Sequence, residues 1–206
     1  MRIFVADDHT VVRTGIKMLV STASDMTVVG EASDGHAVLE ALEETPCDVL
    51  LLDLSLPKLN GVEVLRRVRE RFPNLHVLVL SMYPEEHYAL RMLRAGATGY
   101  LSKDRSEHEL VDAIRCVANG RTYLTPTVAE QAVRGTTQPS GHTALSGREH
   151  QIFLLVANGS TVSDIAAELN LSASTVSNYI ARIKTKLGVR TLGDIVSYAH
   201  RAGLVG

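Results

Sequence analysis

The 206-residue chain reads as an α/β protein, a doubly wound five-stranded parallel sheet, followed by a small all-α domain. Three observations predict this. Over residues 1–120, short β-like runs alternate with stretches whose apolar residues recur at helical spacing, as in consecutive βα units. The runs "DVLLLD" and "HVLVLS" are almost wholly apolar, as central strands covered on both faces must be. From Leu145 onward the β signal stops and helical periodicity continues alone.

The expected strands are Ile3–Ala6, Thr27–Ala32, Val49–Leu52, Val77–Leu80 and Gly99–Leu101. The helices between them are Thr10–Ser21, Gly35–Glu44, Val62–Arg71 and Glu85–Arg94. A fifth, Glu107–Asn119, has Ser106 as its N-cap and Gly120 as its stop. Parallel strands need right-handed crossovers, which place helices on both faces. Residues 121–144 read as a connector. Within it "YLTPTVAEQAVR" has the form of a short helix, with Thr125 as cap and Pro126 at its first position. Gly135–Ala144 is rich in Gly, Pro, Ser and Thr and reads as linker. The last domain, 145–206, carries helices at Gly147–Ala157, Val162–Leu169, Ala173–Leu187 and Leu192–Ala202.

Composition narrows the function. The chain is 45% hydrophobic and 21% charged, enough for a real core under an ordinary surface. No apolar run reaches the ~18 residues of a membrane span, and the start of the chain does not resemble a secretory signal. Cys47 and Cys116 are far apart without metal-ligand spacing, so they read as reduced thiols of a cytoplasmic protein. Through Leu124 there are 14 Lys/Arg against 18 Asp/Glu, whereas from Ser140 onward there are 6 against 4. A weakly basic domain behind an acidic one points toward nucleic acid.

The first strand ends in two adjacent carboxylates, Asp7 and Asp8, and the third in Asp53. In a doubly wound sheet of order 2-1-3-4-5, the usual arrangement for five such strands, these ends are neighbours at the edge where ligands bind. Three converging carboxylates need a cation. A hard divalent ion with oxygen ligands fits, and Mg²⁺ fits best because it accepts two carboxylates, waters and a phosphate oxygen. Ser81 and Lys103 end neighbouring strands on the same edge. A hydroxyl and an ammonium beside a metal and a carboxylate make a phosphoryl pocket, with Asp53 as the attacking group. The bland alternative is an acid cluster at a loop rim, paired with nearby Lys or Arg.

The stretches "ADDH", "LLLDLSLPKLNG", "VLVLSMY" and "AGATGYLSKD" together resemble the receiver domain of two-component signalling, a flavodoxin-like fold, across residues 1–120. The resemblance implies that Asp53 accepts a phosphoryl group from a histidine kinase. It further implies that Asp8, Asp53 and the Ser55 carbonyl bind Mg²⁺ directly, that Asp7 acts through water, and that Ser81 and Tyr100 shift together as the switch.

In the second domain, "TVSDIAAELNLSASTVSNYI" has the form helix, turn, helix. Val176, Ile180, Ile183 and Leu187 make one apolar stripe, while Thr175, Ser177, Asn178, Arg182, Thr185 and Lys186 face elsewhere. Small polar residues near the tip and cations further along suit a helix entering a major groove of double-stranded DNA. The segment from "LSGRE" through "KLGV" is similar to the LuxR-type helix-turn-helix domain of NarL/FixJ response regulators. By position, that resemblance implies Ser177, Asn178 and Ala181 against bases, with Thr175, Tyr179, Arg182 and Lys186 nearer phosphates. The family often has Lys at 163 and 177 and His at 179, where this chain has Ser163, Ser177 and Tyr179. Fewer cations weaken sequence-independent binding, so affinity would come from a homodimer formed on phosphorylation. The expected protein is thus a phosphorylation-controlled transcription factor and not an enzyme, apart from slow loss of its own phosphoryl group. The alternative keeps the phospho-switch and gives the C-terminal helices a partner protein.

Overall fold

Strands buried on both faces build the sheet. The computed structural model describes residues 1–133, 141–169, 171–202 and 204–205, and every side chain among them except those of His87 and Thr143. The strands are β1 (Arg2–Ala6), β2 (Thr27–Ala32), β3 (Val49–Asp53), β4 (His76–Ser81) and β5 (Gly99–Ser102). They are joined by helices α1 (Thr10–Ser21), α2 (Gly35–Glu44), α3 (Gly61–Arg71) and α4 (Glu85–Arg94), with α5 (Glu107–Ala118) after β5. All pairings are parallel, in the order β2-β1-β3-β4-β5. Ile3, Val5, Val49, Leu51, Leu78 and Leu80 pack on one face against Ile16 and Val20 of α1 and Ile114 and Val117 of α5. Their alternates Phe4, Leu50, Leu52, Val77 and Val79 are equally buried on the other face. At roughly 1.5–3 kcal/mol per buried aliphatic side chain, these strands hold the first unit together.

The chain divides into two compact units, Met1–Thr136 and Thr137–Gly206. The division falls within the connector expected at 121–144. A sixth helix, α6 (Pro126–Val133), packs on α4 through a side where Val128 is 1% exposed, so it belongs to the first unit. Of the expected linker, residues 135–140 lie outside the described residues, and Gly141–Ala144 forms a single 3₁₀ turn.

The second unit has α7 (Gly147–Ala157), α8 (Val162–Glu168), α9 (Ala173–Leu187) and α10 (Leu192–Arg201). Reciprocal capping boxes start three of them, Ser146 with Glu149, Thr161 with Asp164 and Thr191 with Asp194, while Ser172 caps α9. Ile152, Phe153, Ile165, Val176, Ile180, Ile183 and Ile195 close its core. No described helix of either unit is long and apolar enough to cross a membrane.

The loop after β3 positions the site and leaves no room. A Cβ at Gly61 would stand 2.1 Å from the Asp53 carbonyl oxygen, and one at Gly35 would stand 2.0 Å from that of Leu59. Lys58 turns the loop at φ 62° and is held there by its 2.7 Å bond to Asp34, whose carboxylate also caps α2. Gly15, by contrast, lies inside α1 with nothing within 4 Å of a Cβ. Gly61→Ala is therefore expected to lower stability by about 1–3 kcal/mol through backbone displacement. Gly15→Ala is expected to raise it by roughly 0.5–1 kcal/mol through helix entropy. Urea unfolding of both variants checks the opposite signs.

Candidate functional site: an acidic pocket and an exposed helix

The parallel order brings four strand ends to one edge of the sheet. Asp7 follows β1 and is 1% exposed, with its N–H still bonded to the Ala32 carbonyl of β2. Asp53 is the last residue of β3, where the sequence pattern had placed it just beyond the strand. Ser81 ends β4, fully buried, and Lys103 follows β5. The Lys103 ammonium stands between two carboxylates, 2.6 Å from Asp7 Oδ2 and 2.7 Å from Asp53 Oδ2. To Asp53 it donates a hydrogen bond, whereas Asp7 Oδ2 is in ion-pair contact without hydrogen-bond alignment. The second oxygens are held by backbone: Asp53 Oδ1 accepts the Ser55 N–H at 3.1 Å, and Asp7 Oδ1 accepts the His9 N–H at 2.8 Å.

Asp8 sits at the mouth, its side chain a third exposed. His9, which the sequence did not place in any metal cluster, brings Nδ1 to 2.7 Å from Asp8 Oδ1 and 3.3 Å from Asp7 Oδ1. One ligand atom from each of Asp7, Asp8, His9 and Asp53 lies within 4.8 Å of all the others. Burial pushes the Asp53 carboxyl above its usual range, and Asp7 adds to that push against the pull of Lys103. Burial also works against the Lys103 ammonium, yet two facing carboxylates outweigh it and hold its pKa above the ordinary value. One cation is thus shared by two buried anions with a third at the rim. That deficit of positive charge, amid oxygen donors, fits a hard divalent cation.

Ser81 and Tyr100 lie behind this pocket. The Ser81 hydroxyl accepts the Tyr83 N–H at 3.2 Å, and the Tyr100 hydroxyl, 1% exposed as a residue, donates to the Tyr83 carbonyl at 2.9 Å.

In the second unit, α9 buries Val176, Ile180 and Ile183 and leaves Ser177, Asn178, Ala181 and Arg182 exposed. Thr175 is half-buried at the cap, its hydroxyl 2.8 Å from that of Ser172. Tyr179 is half-buried against the core with the Arg182 guanidinium 6.0 Å over its ring, so the two form one surface. Lys186 departs from the sequence-based expectation. Its ammonium is committed to the Glu149 carboxylate at 2.5 Å and the Ala144 carbonyl at 3.2 Å, not left to a phosphate.

Comparison with known proteins decides what this pair of sites belongs to. Residues 3–115 match the family model described as response regulator receiver domain, and residues 143–199 match that of bacterial regulatory proteins, luxR family. The chain is a two-component response regulator. It is similar over its whole length to the oxygen regulatory protein NreC of Staphylococcus aureus, with 37% identity over 100% of this chain and 99% of that protein. It is also similar to RcsB of Salmonella enterica serovar Typhimurium, solved bound to promoter rprA in the presence of phosphomimetic BeF₃⁻. That likeness has a TM-score of 0.67 and 27% identity over 96% of this chain and 97% of that one. A further RcsB structure, two dimers bound to two parallel DNAs, has a TM-score of 0.61 and 27% identity over 100% of this chain and 99% of that one.

This response regulator therefore pairs a receiver with a LuxR-type DNA-binding domain, and it is a transcription regulator and not a conventional enzyme. Three residues whose contacts support the two sites were missed in the sequence. His9 pairs with its sequence neighbours Asp8 and Asp7, where "ADDH" pointed to the acids and not to the imidazole. Glu85 gave no local signal, because its partner Thr125 lies 40 residues away and only the fold brings it there. Glu149 did: "SGRE" is a capping-box pattern, and a carboxylate so placed is fixed near its helix start. Burial raises the Glu149 pKa, but Lys186 and the Ser146 N–H and hydroxyl more than offset it and hold the carboxyl below its ordinary value. A depressed carboxylate contributes stability above its unfolded pKa and loses it as pH falls through the folded one. Unfolding of the second unit is thus expected to become easier below about pH 4.5. Lys186→Met, leaving Glu149 buried with Ser146 alone, is expected to cost about 1–3 kcal/mol at neutral pH and to flatten that acid limb. Denaturant unfolding across pH checks both.

Proposed function

We propose that Asp53 accepts a phosphoryl group from a phosphohistidine of a histidine kinase, and that the phosphorylated chain pairs and binds double-stranded DNA. One observation carries this reading: a buried strand-end carboxylate with an ammonium on one oxygen and a backbone N–H on the other. An Asp53 oxygen attacks phosphorus, the P–N bond breaks, and the imidazole leaves with its electron pair and takes a proton. Lys103 meets the charge that moves onto the phosphoryl oxygens, and the Ser81 hydroxyl donates to one of them. Asp8, Asp53 and the Ser55 carbonyl would hold Mg²⁺, with Asp7 reaching it through water. When bound, the ion supplies charge neutralisation on the phosphoryl oxygens. Water attacking the same phosphorus would slowly reset Asp53.

In the second unit, the exposure of Ser177, Asn178, Ala181 and Arg182 on α9 supports a reading in which Ser177, Asn178 and Ala181 meet bases while Thr175, Tyr179 and Arg182 meet phosphates. Asn178 has the donor and acceptor to read adenine. With Lys186 committed internally, the recognition surface carries few cations, which makes pairing of two copies the source of affinity. A DNA target supports a cytoplasmic location.

Treatment with acetyl phosphate and Mg²⁺ is expected to add one phosphate by mass, absent in Asp53→Ala, together with dimer formation and retention of genomic DNA fragments. No adduct on the wild type would overturn the pocket chemistry. An adduct without DNA retention would move the output to a partner protein. Arg182→Ala is expected to reduce the slope of log K against log salt by about one per recognition helix without changing which fragments are kept.

A further inference from the structure

His9 is the N-cap of α1, yet its side chain makes no capping bond. The residues that favour this position are Ser, Thr, Asp and Asn, whose short side chains reach back to the helix. The imidazole turns instead to the acidic edge, with Nδ1 2.7 Å from Asp8 Oδ1 and 3.3 Å from Asp7 Oδ1. Its side chain is 63% exposed, so packing does not hold it there, and an exposed pair of this kind contributes little to stability. What the ring adds to the pocket is a nitrogen donor among oxygens.

Three carboxylates, Asp7, Asp8 and Asp53, face one ammonium, Lys103, and the formal deficit is one that a single divalent ion cancels. The donors are close enough to share that ion, since one ligand atom from each acid and from His9 lies within 4.8 Å of all the others. Asp53 Oδ1 and Asp7 Oδ1 each accept one backbone N–H, and a carboxylate oxygen has a second lone pair to give. Two kinds of ion can use this set. Mg²⁺ keeps oxygen ligands and several waters in an octahedral shell and has no use for an imidazole. A borderline ion such as Zn²⁺ binds imidazole nitrogen and carboxylate oxygen together and is satisfied by four ligands. Four is the number this cluster offers. To ligate, Nδ1 gives up the proton with which it meets Asp8, and Nε2 takes one from solvent, a change of tautomer with no net proton released.

We propose that His9 is a metal ligand that sets the ion preference of the pocket: it joins Asp7, Asp8 and Asp53 around a Zn²⁺-type cation and stands aside for Mg²⁺. The proposal rests on the pocket taking a divalent cation. Because the Asp53 carboxylate is a ligand for either ion, the two exclude each other. They differ in what they leave open. Four protein ligands close a Zn²⁺ site, whereas a reactive one keeps a position for substrate. The nitrogen-ligated ion therefore leaves no place for a phosphoryl oxygen and holds Asp53 out of reaction, so a borderline cation inhibits phosphoryl acceptance.

Co²⁺ serves as the visible stand-in for Zn²⁺, absorbing strongly when four-coordinate and weakly when six-coordinate among oxygens. The full chain is titrated with Co²⁺ and, separately, with Mg²⁺, by calorimetry and visible spectroscopy. The wild type is expected to take one Co²⁺ with the strong band and to lose it to Zn²⁺ or to excess Mg²⁺. His9→Gln keeps an N–H donor for Asp8, removes the imidazole and costs α1 no capping bond. It is expected to lose the band and to weaken Co²⁺ at least about tenfold more than Mg²⁺, the low end of what even an indirect partner of a metal contributes. Asp53→Ala is expected to weaken both ions. At fixed Mg²⁺, Zn²⁺ is expected to suppress the acetyl phosphate adduct of the wild type, and much less that of His9→Gln. Equal weakening of both ions in His9→Gln would make His9 a prop for Asp8 and overturn the proposal. Co²⁺ that Mg²⁺ does not displace, or that Asp53→Ala binds as the wild type does, would lie elsewhere on the chain and overturn it as well. An adduct unaffected by bound Zn²⁺ would overturn the exclusion. Mg²⁺ binding without Co²⁺ binding would overturn the role of His9 and leave the Mg²⁺ reading standing, whereas binding of neither would overturn both.

Discussion

A single ammonium between two buried carboxylates is the constraint around which the first unit is arranged. Removing a carboxylate from water without a partner is costly, and Asp7 and Asp53 are both almost fully buried. Lys103 reaches both, but one positive charge cannot satisfy two negative ones, so the pocket stays short of a cation even when its hydrogen bonds are made. The fold holds that deficit in place through the backbone around it. The parallel register sets the four strand ends side by side, and the backbone N–H groups of Ser55 and His9 fix the remaining oxygens. Gly61 lets α3 begin against the Asp53 carbonyl. A more compliant loop would let the acids swing to solvent, and the charge imbalance that makes the pocket useful would dissipate there.

The elements of this arrangement differ in how legible they were. The parallel sheet and its acid edge could be read because the near-continuous apolar runs of β3 and β4 mark central strands and the usual order of five such strands sets their ends side by side. The convergence of Asp7, Asp53 and Lys103 followed from topology alone. What could not be read was any role set by a partner at long range. Glu85 looks like an ordinary acidic residue in the first turn of a helix, where it would favour the helix dipole in solvent; only the fold brings Thr125, forty residues later, onto it. Lys186 failed for the same reason. On a helical wheel it lies with the exposed cations, and nothing local signals Glu149 one helix pair away. The short helix at 126–133 was visible through its Pro and cap, but its membership of the first unit depended on a buried Val128 and on α4.

The two units spend their polar groups differently. In the first, buried polar side chains gather at one edge, where they can respond to a ligand. In the second, Ser146, Thr161, Ser172 and Thr191 are spent on helix starts and Glu149 on Lys186, which fixes the helices and leaves α9 a face of small side chains. A rigid helix with little charge approaches a groove closely but is weakly held there. On the proposed reading, such a surface would discriminate by fit and depend on pairing for strength, so that control of pairing would become control of binding.

The same reasoning explains why a phosphoryl group can be decisive in so small a protein. It adds roughly −1.5 to −2 charge to a site already short of positive charge. The added charge must be met by Lys103, by a bound cation and by the one Ser81 hydrogen. Lys103 is already shared by Asp7 and Asp53, and Ser81 Oγ already accepts the Tyr83 N–H. A site with spare donors would absorb the new group locally. On the proposed reading, Lys103 turned to the phosphoryl group must be withdrawn from an existing contact, so the change would travel along β5 instead of ending at Asp53.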